Sequence, residues 1–257
     1  MSAYDEAPLW TAAFGLLLLE EVPLGPLPMR ALDLGCGTGF PSIELAQRLG
    51  PTSVVHAVDL WTAALERARF KAFVLGVSNV VFHNANAAAL PFGDNEFDLI
   101  TSNLRINNFD RRNAVVQECK RVLRSGGKLV FTTNLVGHMA EFYEIFREVL
   151  RESADTAGLD ALDAQEQTRM TLAGTQALLT GGGFEIEKIE QRTLQMRFAN
   201  GTALFAHAFV KLAFLEGWQS VGPTQRLEQR LNEQAAKSGG LNLTIPMLAV
   251  RAKSPEK

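Results

Sequence analysis

The sequence predicts an α/β protein built on a doubly wound, mostly parallel sheet with helices on both faces. Three observations lead to this fold class. Apolar runs of strand length alternate with helix-length segments between residues 29 and 135. The first run ends in three alternate glycines, Gly35, Gly37 and Gly39, and a helical segment follows. The chain has 257 residues, of which 47% are hydrophobic and 21% charged, enough to bury the core of one domain.

The segment ALDLGCGTGF at 31–40 is interpreted as a strand, a ligand-binding turn and the start of a helix. Its glycines remove side chains that would hold a ligand away from the backbone, and they permit positive φ. Phe40 stands where a dinucleotide site has its third glycine. The Asp33 carboxylate would repel a pyrophosphate but attract an ammonium and a sulfonium. The turn therefore favours a cationic, adenosine-bearing ligand, and a structural turn without a ligand is the alternative.

With this motif the chain resembles the class I S-adenosylmethionine-dependent methyltransferases. Their first motif reads acidic-x-Gly-x-Gly-x-Gly and is matched by Asp33 through Gly39. The resemblance extends over residues 29–135. It implies a Rossmann-like sheet of seven strands with the last strand antiparallel, S-adenosyl-L-methionine as cofactor, and transfer of the sulfonium methyl group to an acceptor.

A helix is predicted at 4–22, ahead of the first strand, and a proline-rich break follows it. Because it precedes the first strand, this helix must pack outside the sheet. It either caps the core or closes over the ligands as a lid, with Tyr4 and Trp10 as the contacts. In the resembled family the N-terminal segment is commonly a lid.

The run SVVHAVDL predicts the second strand, which ends in Asp59. Asp59 lies 20 residues after Gly39. This interval places an acid at the end of the neighbouring parallel strand, where it accepts hydrogen bonds from both hydroxyls of a ribose. A solvated acid at a strand end is the alternative. In the resembled family the next apolar side chain packs on the adenine; Leu60 holds that place, with Trp61 as the alternative.

The third strand, NVVFHNAN, leads into AAALPFGDNEFDL, where the resemblance is strongest. Methyltransferases often read Asp-Ala-x-x-Leu-Pro-Phe-x-Asp-x-x-Phe-Asp at this place. Asn86 replaces the usual acid, which accepts a hydrogen bond from the adenine amino group. An amide oxygen also accepts, so we expect adenine recognition to survive with one charge fewer. The resemblance makes the backbone amide of Ala87 the partner of the ring edge.

The fourth strand, FDLITSN, ends in Asn103 at the edge where an open α/β sheet presents its ligands. Arg105, Asn107 and Asn108 follow in one loop. We predict that the Asn103 amide reaches the acceptor or the amino-acid end of the cofactor, which makes it a candidate catalytic and cofactor-binding residue. The alternative is that these asparagines form hydrogen bonds with the backbone of their own loop.

The second half predicts a helix at 111–124, a break at 125–127 and the fifth strand, KLVFTTN. His138 follows this strand. We expect it to be exposed at the same edge of the sheet and make it the candidate general base. The alternative is that it caps a helix or lies on the surface without a catalytic role. A surface connection is predicted after Glu152, and disorder from Ala252 onward. Four residues of a helical insertion at 199–240 are predicted either to line an apolar pocket or to belong to the core: Phe205, His207, Phe209 and Trp218.

The predicted organisation is a single domain with an N-terminal helical lid at 1–28, a cofactor-binding core at 29–135 and a C-terminal half at 136–257. A formal net charge of −3 without basic runs argues against nucleic acid as a partner. The two cysteines provide neither a disulfide framework nor a zinc ligand set. We expect a cytoplasmic monomer or homodimer without a membrane segment, acting on a small molecule.

Three classes of function are compatible with these features. The favoured one is a small-molecule methyltransferase. The second is a protein that binds the cofactor or a partner protein without turnover. The third is a dinucleotide-dependent oxidoreductase, which Asp33 and Phe40 disfavour. Methyl transfer can be catalysed largely by aligning the nucleophile with the methyl group and by excluding water. A methyltransferase therefore needs few catalytic side chains, and a sequence with a clear cofactor motif but no clear catalytic motif is consistent with the first class.

Overall fold

The computed structural model describes residues 9–256, apart from the side chains of Leu9 and Trp10. Of the two predicted lid contacts, Tyr4 lies outside the described residues, as does the side chain of Trp10. The strands are β1 Arg30–Leu34, β2 Val54–Asp59, β3 Val80–Asn84, β4 Phe97–Asn103, β5 Leu123–Asn134, β6 Glu185–Phe198 and β7 Leu241–Lys253. The helices are α1 Leu9–Glu21, α2 Ser42–Leu49, α3 Thr62–Val74, α4 Arg112–Val122, α5 Ala140–Glu152, α6 Thr156–Gln167, α7 Leu172–Gly181, α8 Gly201–Ala206, α9 Ala208–Ala213, α10 Leu215–Val221 and α11 Thr224–Ser238, with a 3₁₀ turn at Ile106–Asn108.

The described strands form one seven-stranded sheet in the order β3-β2-β1-β4-β5-β7-β6. Strands β1 to β5 pair in parallel, whereas β7 runs antiparallel between β5 and β6. The predicted sheet and its antiparallel last strand are therefore confirmed. Because the strand order reverses between β1 and β4, the carboxyl ends of these two strands border a crevice.

Successive residues of the central strands enter cores on opposite faces of this sheet. Ala31 and Leu99 pack with residues of α1 and α2 on one face. Leu32 and Ile100 pack with residues of α4 and α7 on the other. Strands buried on both faces have continuous apolar sequences, which explains why β1 and β4 were recognisable.

The N-terminal helix α1 belongs to the core in its described part. Phe14, Leu17 and Leu18 are almost fully buried, and the helix packs on β4, β5 and β7. Gly15 lies so close to the Phe40 ring that an added Cβ would overlap it. This close approach puts α1 beside the glycine-rich turn.

Three element predictions are wrong. The stretch after Glu152 forms helix α6, because the Asp155 carboxylate caps it by accepting a hydrogen bond from Gly158 N at 2.8 Å. Residues 125–127 belong to strand β5 and do not separate it from α4. The chain from Ala252 is ordered because β7 pairs with β5 as far as Lys253, and Ser254 N donates to Gly127 O at 2.9 Å.

The insertion predicted at 199–240 is helical and forms α8 to α11. Together with α5 and β7 these helices enclose a second large apolar core, which includes Phe142, Phe146 and Trp218. The insertion thereby covers the carboxyl edge of the sheet beside β5. No helix in the described part of the chain has the length and apolarity that crossing a bilayer requires.

Candidate functional site

Two cavities adjoin at the carboxyl edge of the sheet. The smaller cavity, of about 170 Å³, lies between the glycine turn, the end of β2 and residues 85–88. The larger cavity, of about 470 Å³, extends from the same turn to α5, α9 and α10. Gly35, Arg105 and Asn108 line both. The two cavities are thus parts of one crevice.

Backbone hydrogen bonds hold the glycine turn against β2. Gly35 N and Cys36 N both donate to Val58 O, at 2.8 and 3.1 Å. At Gly37 φ is +51°, and an added Cβ would meet no atom within 4 Å. Since Gly37 also lines the larger cavity, the open space above it is continuous with that cavity. Gly39 differs, because its Cβ would lie 2.8 Å from Ile43 Cδ1 and its absence lets the turn pack on α2.

The Asp59 carboxylate occupies the expected place at the end of β2 and lines the smaller cavity. Its Oδ2 accepts from Gly37 N and its Oδ1 from Trp61 N, both at 2.9 Å. The acid therefore fixes the glycine turn while it borders the cavity. Each carboxylate oxygen accepts more than one hydrogen bond, so this anchoring leaves capacity for a ligand.

The other predicted adenosine contacts also border the smaller cavity. Leu60, Asn86 and Ala87 are among its lining residues, and the Leu60 side chain is 64% exposed. Asn86 Oδ1 accepts from Ala88 N at 2.9 Å, so part of its acceptor capacity is used by its own loop. Trp61, the alternative to Leu60, is not among the described residues that line either cavity.

Asp33 does not offer its carboxylate to either cavity, and the expectation that it faces a ligand is wrong. The side chain is buried and accepts hydrogen bonds from Ser42 Oγ and, at 2.8 Å, from Thr101 Oγ1. Burial raises the pKa of this carboxyl to about 6. Asp33 joins the start of α2 to β4, and these hydroxyls turn it inward.

Asn103 lines the larger cavity, but both ends of its amide already have partners in the protein. Its Nδ2 donates to Thr11 O at 3.1 Å, and its Oδ1 accepts from Thr132 Oγ1 at 2.7 Å. The side chain thereby ties α1 to β4 and β5. Its place at the cavity agrees with the sequence analysis, and its hydrogen bonds indicate that it positions the N-terminal helix.

His138 is buried, so the expectation that it is exposed at the sheet edge is wrong. The ring stacks on Phe214, with 6.3 Å between ring centroids. Burial, and to a lesser degree the charge of Arg169, lowers the pKa of His138 to about 3. The imidazole is neutral at physiological pH and does not line either cavity. The covering residue Phe214 lies between α9 and α10 in the late insertion, and the local sequence around His138 does not reveal this contact.

Two buried polar atoms beside the glycine turn have no hydrogen-bond partner among the described residues. They are Arg105 Nε, a donor, and Asn107 Oδ1, an acceptor. The Arg105 side chain covers Gly35 so closely that a Cβ there would overlap it. Asn107 is oriented by its Nδ2, which donates to Asn134 O at 3.1 Å. Unpartnered buried groups of this kind cost about 1–3 kcal/mol each, so their presence indicates a ligand position.

The far wall of the larger cavity contains residues that the sequence analysis missed. They are Tyr143 on α5, Gln165 on α6, Thr168 and Arg169. Their sequence context is an amphipathic helix and a polar stretch, and neither carries a motif. Of the four residues predicted in the insertion, Phe209 and Trp218 line the cavity. Phe205 and His207 pack instead on Trp218 and Phe198, with ring centroids 5.8 and 5.6 Å apart.

Comparison with known proteins agrees with this architecture. A family model described as a methyltransferase domain matches residues 28–197. A demethylmenaquinone methyltransferase from Anoxybacillus flavithermus is 33% identical over 125 residues, which are 47% of this chain and 53% of that protein. The ubiquinone/menaquinone biosynthesis C-methyltransferase UbiE from Psychromonas ingrahamii is 36% identical over 121 residues, 46% of this chain and 48% of that protein. The chain thus spans about half the length of these curated relatives.

Among solved structures, the YcgJ protein from Bacillus subtilis superimposes with a TM-score of 0.65 at 19% sequence identity. The match covers 96% of this chain and 99% of that chain. At this identity the likeness shows a shared fold.

Proposed function

Because the chain belongs to the family described as methyltransferase domains, we propose that it transfers the methyl group of S-adenosyl-L-methionine to a small-molecule acceptor. One observation carries the proposal. Beside a turn that leaves open space at Gly37, a buried donor on Arg105 and a buried acceptor on Asn107 both lack partners among the described residues. A zwitterionic amino-acid group supplies a carboxylate for the first and an ammonium for the second.

The residues of the crevice fit this cofactor from end to end. Asp59 would accept from the ribose hydroxyls, Leu60 would pack on the adenine, and Asn86 and Ala87 would meet its edge. Arg105 lines both cavities, so it would adjoin both ends of the cofactor. When bound, S-adenosyl-L-methionine supplies a methyl group already activated by its sulfonium.

The catalytic contribution of the chain would be alignment and exclusion of water. The far wall of the larger cavity is largely aromatic, with Tyr143, Phe209, Phe214 and Trp218. The buried His138 is a poor general base because its pKa lies at about 3. Burial raises the pKa of the Cys36 thiol, so this cavity-lining group stays protonated and does not compete for the methyl group. This arrangement suits an acceptor whose nucleophilic form is present without a protein base.

The curated relatives support a small acceptor, since both are named for methylation of quinone-type compounds. One of them is named as a C-methyltransferase, which makes carbon a candidate for the methylated atom. Both cysteines, Cys36 and Cys119, are free thiols, in keeping with a cytoplasmic location. For the oligomeric state we retain the expectation of a monomer or homodimer.

Calorimetry and a turnover assay test the proposal. We expect S-adenosylmethionine and S-adenosylhomocysteine to bind and NAD not to bind. With labelled cofactor and a panel of hydroquinones, phenols and aromatic acids, we expect label in at least one product. Binding of NAD alone would contradict the proposal in favour of the oxidoreductase. Cofactor binding without label transfer across the panel would favour the non-catalytic alternative.

A further inference from the structure

The larger cavity is lined by cationic side chains. Lys71, Arg105 and Arg169 border it, and none of its described lining residues is an aspartate or a glutamate. This local excess of positive charge contrasts with a chain whose net charge is −3. Arg105 lies beside the glycine turn, where the amino-acid end of the cofactor is proposed to bind. Arg169 lies on the opposite wall and has no role in that site.

Arg169 is held in place by neutral groups. Its Nη2 donates to Tyr143 Oη at 2.9 Å, and its guanidinium lies 5.1 Å from the centroid of the Tyr143 ring. Its Nε is buried and has no hydrogen-bond acceptor among the described residues. Two acids that precede it in sequence, Asp163 and Glu166, pair with Arg147 instead. Arg169 therefore keeps a desolvated donor available to a ligand.

The backbone around Arg169 is also fixed on both sides. Arg112 Nη2 donates to Thr168 O at 3.1 Å, and Val136 N donates to Met170 O at 3.0 Å. These bonds attach the segment to α4 and to the chain that follows β5. A cation held in this way has already lost much of its conformational freedom, so less is lost when a ligand binds.

The Tyr143 hydroxyl presents a second donor at the same place. Its oxygen accepts from Arg169 Nη2 at 2.9 Å and from Trp218 Nε1 at 3.5 Å. A hydroxyl oxygen accepts two hydrogen bonds and donates one. With both acceptor positions used, the Tyr143 hydroxyl has only its proton left to offer. A ligand at this wall must therefore accept hydrogen bonds.

The neighbouring wall is apolar, and its aromatic rings are packed on one another. The rings of Phe214 and Trp218 stack at an interplanar angle of 16° with centroids 5.4 Å apart. Phe209 meets Phe214 edge to face, with centroids 6.0 Å apart. Trp218 is 1% exposed and also packs on Phe142, with centroids 4.2 Å apart. Phe214 stacks on His138 as well. These residues therefore offer a ligand an apolar aromatic rim, against which a ring packs favourably. The cavity of about 470 Å³ also includes space beside the glycine turn, so the remaining volume suits a frame of one or two rings.

We infer that the acceptor is an aromatic carboxylate, whose carboxylate binds Arg169 Nε and the Tyr143 hydroxyl while its ring packs against the apolar rim formed by Phe209, Phe214 and Trp218. The nature of the reaction rests on the proposed function, but the binding of the carboxylate does not. A planar carboxylate matches the planar guanidinium and accepts from both donors. Its negative charge also complements the sulfonium of the cofactor.

Calorimetry with 2-naphthoate and 2-naphthamide tests the inference, because the two probes share shape and differ in charge. We expect the wild-type protein to bind the carboxylate at least tenfold more tightly than the amide, with or without saturating S-adenosylhomocysteine. Arg169→Met should abolish this preference and leave S-adenosylhomocysteine affinity unchanged. Tyr143→Phe should weaken naphthoate binding several-fold. The control is Arg151→Met, which removes an exposed cation paired with Glu144 at 3.2 Å and should keep the full preference.

Circular dichroism and thermal melting show whether each variant is folded. If Arg169→Met does not fold, Arg169→Lys replaces it; it keeps the charge, loses the fork of donors, and should retain only part of the preference. Equal affinity of wild type for both probes, or an undiminished preference in either Arg169 variant, would overturn the inference. Failure of S-adenosylhomocysteine to bind would instead overturn the proposed function, because the naphthoate titration does not require the cofactor.

Discussion

The two cavities on either side of Arg105 are built in different ways. The smaller one is bordered by residues of the first strands and their loops, such as Gly35, Asp59 and Asn86, and contains an acid that backbone amides already hold. The far wall of the larger one combines Tyr143 on α5 and Arg169 with aromatic residues of the insertion. The first is a local construction of turns and strand ends. The second exists only after distant segments have packed.

This difference extends to the hydrogen bonds of the two cavities. In the smaller cavity the Asp59 carboxylate and Asn86 Oδ1 have protein partners. In the larger cavity buried atoms of Arg105, Asn107 and Arg169 lack them among the described residues. Apart from Arg105, which borders both cavities, the smaller cavity is therefore preformed. The larger one gains its full set of hydrogen bonds only with ligands present. Variants on the two sides should consequently fail in different ways.

The largest effect is expected from Gly37→Val, which places a branched side chain in the open space above the turn. We expect S-adenosylhomocysteine affinity to fall at least 100-fold in calorimetry. The matched control is Gly76→Val. Gly76 has φ +68° and open space around its Cβ, and it lies between α3 and β3. Both variants should lose stability on the order of 1–2 kcal/mol from the left-handed backbone, and only Gly37→Val should lose binding. Normal binding by Gly37→Val would make the turn purely structural.

Asp59→Ala tests the preformed side of the comparison. It leaves Gly37 N and Trp61 N without their acceptor and removes the proposed ribose contact. Hydrogen bonds to charged groups contribute about 1.5–3 kcal/mol, so we expect roughly 10- to 100-fold weaker S-adenosylhomocysteine binding by calorimetry. Asp94→Ala, on an exposed acid paired with Arg121 at 2.9 Å, should bind normally. Unchanged affinity in Asp59→Ala would remove this residue from the site.

Asn103→Ala tests the contact between α1 and the larger cavity. It removes the bonds to Thr11 O and from Thr132 Oγ1, so we expect the free energy of unfolding to fall by about 1–3 kcal/mol in denaturant titrations. Turnover should fall equally at every pH because an amide does not titrate. Asn232→Ala also removes two bonds, both to Thr202. Asn232 lines neither cavity, so turnover should be preserved. Unaltered turnover in Asn103→Ala would contradict a positioning role.

The smallest effect on turnover is expected from His138→Phe, which keeps a ring against Phe214. The pH–rate profile should keep its shape between pH 6 and 8, because the folded pKa of His138 is about 3. If the rate of the variant no longer changed with pH in that range while the wild-type rate did, His138 would again be the candidate general base.

The same variant should alter the acid dependence of stability. An unfolded histidine has a pKa near 6.5, so below that pH the unfolded chain binds a proton that folded His138 does not. The wild type should therefore lose up to about 1.4 kcal/mol more stability per pH unit than His138→Phe as the pH falls from 6.5 to 5. Asp33, with a pKa of about 6 that lies above the usual 3.8, acts in the opposite direction. Its contribution cancels because both proteins contain it. Parallel stability curves would contradict the lowered pKa.

The sequence by itself determined the alternation of strands and helices, the glycine turn and the acid at the end of β2. These follow from local rules: strand periodicity sets the faces, and parallel strands bring their carboxyl ends to one edge. Asp59 lies at that edge for this reason, whereas the antiparallel last strand and the places of Leu60 and Ala87 were implied by the family resemblance. The motif residues Asp33 and Gly39 show the limit of such rules. The Asp33 carboxylate is held inward by Ser42 and Thr101, and Gly39 packs closely against Ile43.

Only the tertiary structure decided the roles of residues whose partners are distant in sequence. The Asn103 amide donates a hydrogen bond to Thr11 O, 92 positions away in the sequence. His138 is covered by Phe214, and Arg169 meets Tyr143 in a cavity that aromatic residues of the insertion also line. Burial, pKa and the availability of a donor depend on all the groups that surround a side chain. For these residues the surrounding groups come from helices whose packing no local pattern specifies.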